Sequence, residues 1–121
     1  MRLSERDAAY LWDMLDRARA VREFTASTSF HQYIRDRKLQ MAVERALEVI
    51  GEAARHISPA YREGHTEIPW RGIVAQRNVL AHEYGEIKHE RLWVIVTERI
   101  PELIALLEKL DIPSPPSEPD S

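Results

Sequence analysis

Arg77-Asn78-Val79-Leu80-Ala81-His82-Glu83-Tyr84 is the stretch on which the reading of this chain turns. Ile68-Pro69-Trp70 stands before it, and proline is preorganised for the first position of a helix. Gly85 follows it and suits a left-handed helix end. The spacing therefore predicts a helix from Pro69 to Tyr84 with Gly85 as its cap. On a helical wheel of about 100° per residue, Trp70, Ile73, Val74, Leu80, Ala81 and Tyr84 lie within roughly 60° of Arg77. A permanently charged guanidinium thus occupies the middle of an apolar stripe. That is costly unless the charge is paired or lines a cleft, and Glu44 and Glu52 on the preceding helix are the candidate partners. Asn78 and His82, four residues apart, share the flanking face. His82 falls in the last turn, where the helix dipole favours the imidazolium, and histidine is the side chain that exchanges protons near neutral pH. A proton carrier and a fixed cation on one helix are the parts needed to move a proton while charge is held on an oxyanion. About 140° separates Arg77 from His82 on the wheel, so one regular helix does not aim both at one atom. Either the helix end is distorted or the site is assembled from two copies, and a two-fold dimer is the preferred geometry.

Outward from this helix the pattern stays helical. Ser4 followed by Asp7 reads as a helix start, and Tyr10, Leu11, Met14, Leu15, Ala18 and Val21 keep a spacing of three and four residues to about Phe24. Thr25 to Ser29 is a break, after which Phe30, Tyr33 and Ile34 make a short turn of helix. A long helix from about Asp36 to Ile57 carries the stripe Leu39, Val43, Ala46, Leu47, Ile50, Ala53 or Ala54, and Ile57. Gly51 lies inside it, where close approach of another helix is the expected reason for a glycine. Ser58-Pro59 stops it, and Tyr61 to Glu67 reads as a short turn or loop. The last helix covers about Lys88 to Leu110, with Pro101 inside it forcing a kink or a new start. Ile112 to Ser121 holds four prolines and three serines in ten residues and reads as a disordered tail. The expectation is an all-α fold: an antiparallel bundle of four main helices over residues 1–111, dimeric, followed by the tail at 112–121.

The composition narrows the function. The net charge of −3 gives no bulk attraction to nucleic acid or anionic lipid, so any such contact has to come from a local basic cluster. Fourteen of the seventeen basic residues are arginine, a bias that codon usage explains before binding does. There is no cysteine, hence no disulfide framework and no thiolate chemistry. No apolar run reaches the roughly 18 residues a membrane span needs, and the polar, acidic start argues against a signal peptide, so the cytoplasm is the expected compartment. His31, His56, His65 and His89 show no metal-ligand spacing, and no glycine-rich phosphate loop occurs. Neither a metal nor a cofactor is expected.

Arg77-Asn78-x-x-x-His82-x-Tyr84 resembles the R-x4-H-x-Y motif of the HepT-like branch of the HEPN superfamily. Asp36 to Arg45, Ile50-Gly51-Glu52-Ala53-Ala54, Ile68-Pro69-Trp70, Leu92-Trp93 and Pro101-Glu102-Leu103 fit the same family in order, and the resemblance covers most of residues 4 to 110. Ala75-Gln76 departs from it where relatives carry a Gly-Met-like pair. The resemblance implies the toxin of a type VII toxin–antitoxin system, a metal-independent endoribonuclease that works as a homodimer. It implies Arg77 and His82 as the catalytic pair and Asn78 as the supporting polar residue. It also implies a minimal nucleotidyltransferase antitoxin, MntA-like, that silences the toxin by attaching AMP to Tyr84; the residues alone also allow Tyr84 to be a core side chain with its hydroxyl at the surface. The alternative from another class is a non-catalytic HEPN module that binds a nucleotidyltransferase or a nucleotide, a branch that usually lacks the motif.

Overall fold

A computed structural model describes residues 3–115. Its order is α1 (Glu5–Thr25), α2 (Phe30–Tyr33), α3 (Arg37–His56), α4 (Pro59–Gly64), α5 (Trp70–His82), α6 (Gly85–Val94), a π-helical turn (Ile95–Arg99) and α7 (Ile100–Glu108). Among the described residues there is no strand, and the architecture is the expected all-α bundle. Residues 116–121, which hold most of the expected tail, lie outside the description. Ile112, at its start, packs on the core.

The starts of the helices are set by local chemistry. Ser4 accepts from the Asp7 amide at 3.0 Å, and Asp36 accepts from the Leu39 amide at 3.0 Å, each satisfying a donor the first turn leaves free. Ser29 and Gln32 close a capping box around α2. α1 packs along α3 and α7, and α3 packs along α5. The α1 and α3 stripes fill the core as their spacing predicts, from Leu11 to Val21 and from Val43 to Ile57, with Tyr10 and Leu39 only partly covered.

Two local expectations need correction. Ser58-Pro59 does stop α3, but the same pair starts α4: Ser58 accepts from the Tyr61 amide at 3.3 Å and Pro59 opens the helix, so most of the expected loop is helical. Ser58 is also tied back to α1, donating from its amide and its hydroxyl to the buried Asp7 carboxylate at 2.9 and 2.6 Å. α5 ends at His82, two residues early; Glu83 and Tyr84 are extended and Gly85, at φ +60°, begins α6 instead of capping α5. Pro101, as expected, stands at a new helical start: α7 opens at Ile100 with the proline in its first turn. Having no amide hydrogen for the carbonyl one turn back, it is accommodated by the π-helical turn just before it, which widens the coil and lets α6 run on into α7.

Candidate active site

α5 is the least covered of the long helices. Only Trp70 and Ile73 of its stripe are buried; Val74, Val79 and Leu80 are partly covered. Its first turn is pinned from below: the Trp70 indole donates to the His65 carbonyl at 3.0 Å, and Tyr61 of α4 stacks on His65 with ring centroids 4.0 Å apart.

Arg77 crosses α3 where Gly51 lies. A methyl group on Gly51 would sit 3.1 Å from Arg77 Cγ and 3.6 Å from the Ile73 carbonyl, so the glycine is the seat over which the arginine stem passes. This is the close helix approach that a glycine inside α3 predicts. Beyond the seat, Arg77 Nη1 stands 3.7 Å from Glu52 Oε2. Of the two candidate partners, Glu52 is therefore the one used; Glu44 pairs with Lys88 at 2.6 Å. The guanidinium is thus paired and also lines a cleft, the two conditions under which a charge in an apolar stripe is tolerated, and the Arg77 side chain is 48% exposed. The wheel identified a stripe, but α3 covers only the edge of it nearest Trp70 and Ile73.

Glu52 is a hub. Its Oε1 accepts from Arg55 Nη2 at 2.7 Å and lies 3.0 Å from His56 Nε2. These hydrogen bonds from Arg55 and His56, with the charges of Arg55 and Arg77, hold its carboxyl down to about 2. The His56 ring in turn stacks on Tyr10, with centroids 5.2 Å apart.

Arg77, Asn78 and His82 line one groove of about 570 Å³. Arg77 and His82 share the lining of this groove, although about 140° of helix still separates them within one protomer. Trp70, Val74, Ala75 and Ala81 supply its apolar floor, and Arg55, Arg62 and Arg71 complete its rim. Four guanidinia face this hollow, and among the described residues no carboxylate lines it. Arg77 also borders two smaller hollows in which carboxylates outnumber arginines: Glu44 and Glu48 line one, and Asp13, Glu48 and Glu52, together with Arg45, line the other. Arg77 therefore marks an electrostatic divide, with Asn78 and His82 on its cationic side.

Tyr84 stands outside the groove lining. It is 80% exposed on the extended joint between α5 and α6, so the reading of it as a core side chain is overturned by the early end of α5. The rim arginines are what sequence reasoning missed. They come from α3, α4 and α5, and no run of basic residues announces them. Among the described residues there is no group of three or more His, Cys, Asp or Glu side chains placed to hold a metal ion, and no helix is long and apolar enough to cross a membrane.

Comparison with known proteins bears on the family. A family model described as "Ribonuclease HepT-like" matches residues 14–110. A protein of Methanocaldococcus jannaschii named "Putative RNase MJ1380" is 41% identical over 102 residues, covering 84% of this chain and 94% of that one. The "Probable ribonuclease HepT" of Thermococcus cleftensis is 40% identical over 110 residues, covering 91% of this chain and 98% of that one. A second M. jannaschii protein, "Putative RNase MJ0127", is 34% identical over 102 residues, with 84% of each chain covered. No solved structure matches the chain. The family match over residues 14–110 and two relatives at 40% identity or more, aligned nearly end to end, make the chain a member of the HepT-like ribonuclease family.

Proposed function

We propose that this protein is an RNA-cleaving toxin that works through Arg77 and His82. The observation that carries the reading is the groove in which Arg77, Asn78 and His82 meet three further arginines and no carboxylate. In the proposed reaction the 2′-oxygen of a ribose forms a bond to the adjacent phosphorus and the bond from phosphorus to the 5′-oxygen breaks. His82 takes the proton of the 2′-hydroxyl, and Arg77 stabilises the charge that builds on the phosphoryl oxygens. Asn78, one helical turn before His82, orients the imidazole. His82 then returns that proton to the departing 5′-oxygen, and a homodimer that sets the Arg77 of one copy against the His82 of the other brings both groups to one phosphate. The products are a 2′,3′-cyclic phosphate and a 5′-hydroxyl, and no metal ion enters the scheme. The attacking group is the 2′-hydroxyl, so DNA is not a substrate.

The regulatory half of the proposal concerns Tyr84. A minimal nucleotidyltransferase antitoxin, MntA-like, would use ATP: the Tyr84 oxygen attacks the α-phosphorus, pyrophosphate leaves, and the phenolic proton is lost. The 80% exposure of Tyr84 supports this, because the acceptor is open to a second enzyme. The added phosphodiester carries about one negative charge and the adenine adds bulk close to His82, so modification repels and blocks an incoming RNA phosphate.

The test is cleavage of RNA in the presence of a chelator, alongside growth inhibition on expression. Arg77→Ala and His82→Ala should each lose both while keeping the helical circular dichroism of the wild type. Wild-type cleavage by purified His82→Ala would reject the assignment.

A further inference from the structure

The groove does not end at the motif. Past Arg55 and Arg62, which border both, a second hollow of about 450 Å³ continues and carries Arg6. The carboxylate on its lining, Asp7, is 5% exposed and already engaged by the Ser58 amide and hydroxyl. From His82 to Arg6 the surface therefore presents guanidinia drawn from four helices, in a chain whose net charge is −3. Among the described residues, neither Arg62 nor Arg71 forms an ion pair, whereas Arg55 and Arg77 share Glu52. Unpaired guanidinia concentrated along a hollow of an otherwise acidic protein are poised for a polyanion.

We propose that this path is a track for the phosphodiester backbone of single-stranded RNA, on which Arg62 and Arg71 each hold a phosphate outside the one being cut. The inference rests on the nuclease reading for its choice of RNA, and it adds where the strand lies and how it is held. Three observations set its course. In the hollows on the other side of Arg77 carboxylates outnumber arginines, which disfavours phosphate there, so the strand leaves the cleavage point on the cationic side. The cationic side is also the one that holds His82. In addition, a 2′-oxygen in an A-form helix is not in line with the leaving 5′-oxygen, so the strand at the site has to be unpaired to react. A charged groove that follows a backbone is the way proteins hold such strands without reading bases.

The experiment measures binding, separately from cleavage. The probe is a short single-stranded oligoribonucleotide with 2′-O-methyl groups throughout, which cannot be cut, followed by fluorescence anisotropy over a range of salt concentrations. Each phosphate contact on a single strand contributes about 0.7 to the slope of log affinity against log salt, or roughly fivefold in affinity at about 0.1 M salt. Arg71→Gln and Arg62→Gln should each cost about that much, and the double variant roughly 25-fold with a slope shallower by about 1.4. Arg62→Lys should keep the slope. Arg62 is half-buried and the more sensitive to substitution, so the exposed Arg71→Gln carries the test alone if Arg62→Gln fails to fold. A folded Arg71→Gln with wild-type affinity and slope overturns the track, as does competition by polyglutamate equal, charge for charge, to that by the oligonucleotide. The two proposals fail separately. If His82→Ala loses cleavage while the double variant binds and cuts like wild type, the nuclease reading stands and the track is wrong. If the double variant loses binding while the wild type cuts no RNA, the track stands and the nuclease reading is wrong.

Discussion

At the scale of single residues, the site depends on how Arg77 is aimed, and two neighbours on α3 do the aiming. Gly51 provides the seat. An alanine there would place its methyl 3.1 Å from Arg77 Cγ, so the arginine stem must move by a few tenths of an ångström. The stem is flexible, and alanine is favoured over glycine inside a helix by about 1 kcal/mol. Gly51→Ala should therefore leave thermal stability near or above that of the wild type while cleavage falls at least severalfold, a split visible by pairing melting curves with rate measurements. Glu52 provides the tether. Because its carboxyl is held well below the ordinary value of 4.5, to about 2, the charged form is the one the fold favours. Its contribution to stability is fully present above about pH 4.5 and fades as the pH falls toward 2. The stability difference between the wild type and Glu52→Gln, followed by denaturant melts across this window, should shrink as the solution is acidified. A difference that does not change with pH would remove the tether from the account. Gly51 was legible in the sequence, since a glycine inside an apolar stripe has few other uses. The openness of Arg77 was not, because a helical wheel ranks faces but does not say how much of each the neighbours cover.

At the scale of elements, the joint between α5 and α6 matters most. Gly85 in the sequence correctly marks a change of direction, yet the helix stops two residues before it. The reason is that Gly85 takes its positive φ at the start of the next helix, which leaves Glu83 and Tyr84 extended. This converts Tyr84 from a stripe residue into an exposed one. Tyr84→Phe should accordingly fold with unchanged stability, remain toxic, and escape silencing by a coexpressed antitoxin. Intact-mass analysis decides the point: an AMP adduct on the wild type that is absent from Tyr84→Phe is the expected result, and an adduct surviving the substitution would move the acceptor elsewhere. α4 illustrates the opposite failure of reading. Ser58-Pro59 after a long helix signals a stop, yet serine before proline is also a start, and α4 is the element that brings Arg62 to the groove rim. The long amphipathic helices were legible because period 3.6 repeats over many turns; the six-residue α4 has no room to show a period.

At the scale of the whole molecule, the cationic groove arises only from folding, since its arginines are contributed by separate helices and the bulk charge points the other way. The sequence therefore disclosed the motif but not its electrostatic setting. Partly covered Val74, Val79 and Leu80, with Ile87 57% and Val94 47% exposed, leave apolar surface around α5 and α6 that a second copy would cover. If the cut needs residues from both copies, mixing Arg77→Ala with His82→Ala protomers should restore part of the activity, whereas a protein that sediments as a monomer while fully active would end the dimer proposal. The central claim, that RNA is cut by its own 2′-hydroxyl with His82 and Arg77 as the working groups, is tested most directly by end-group analysis of a defined RNA cut in chelator. The expected result is 2′,3′-cyclic phosphate and 5′-hydroxyl ends, no cut where a single 2′-deoxy sugar replaces the ribose at the scissile position, and a rate at least about 100-fold lower for His82→Ala. Cleavage that proceeds through the 2′-deoxy position, or that yields 5′-phosphate ends, would contradict it.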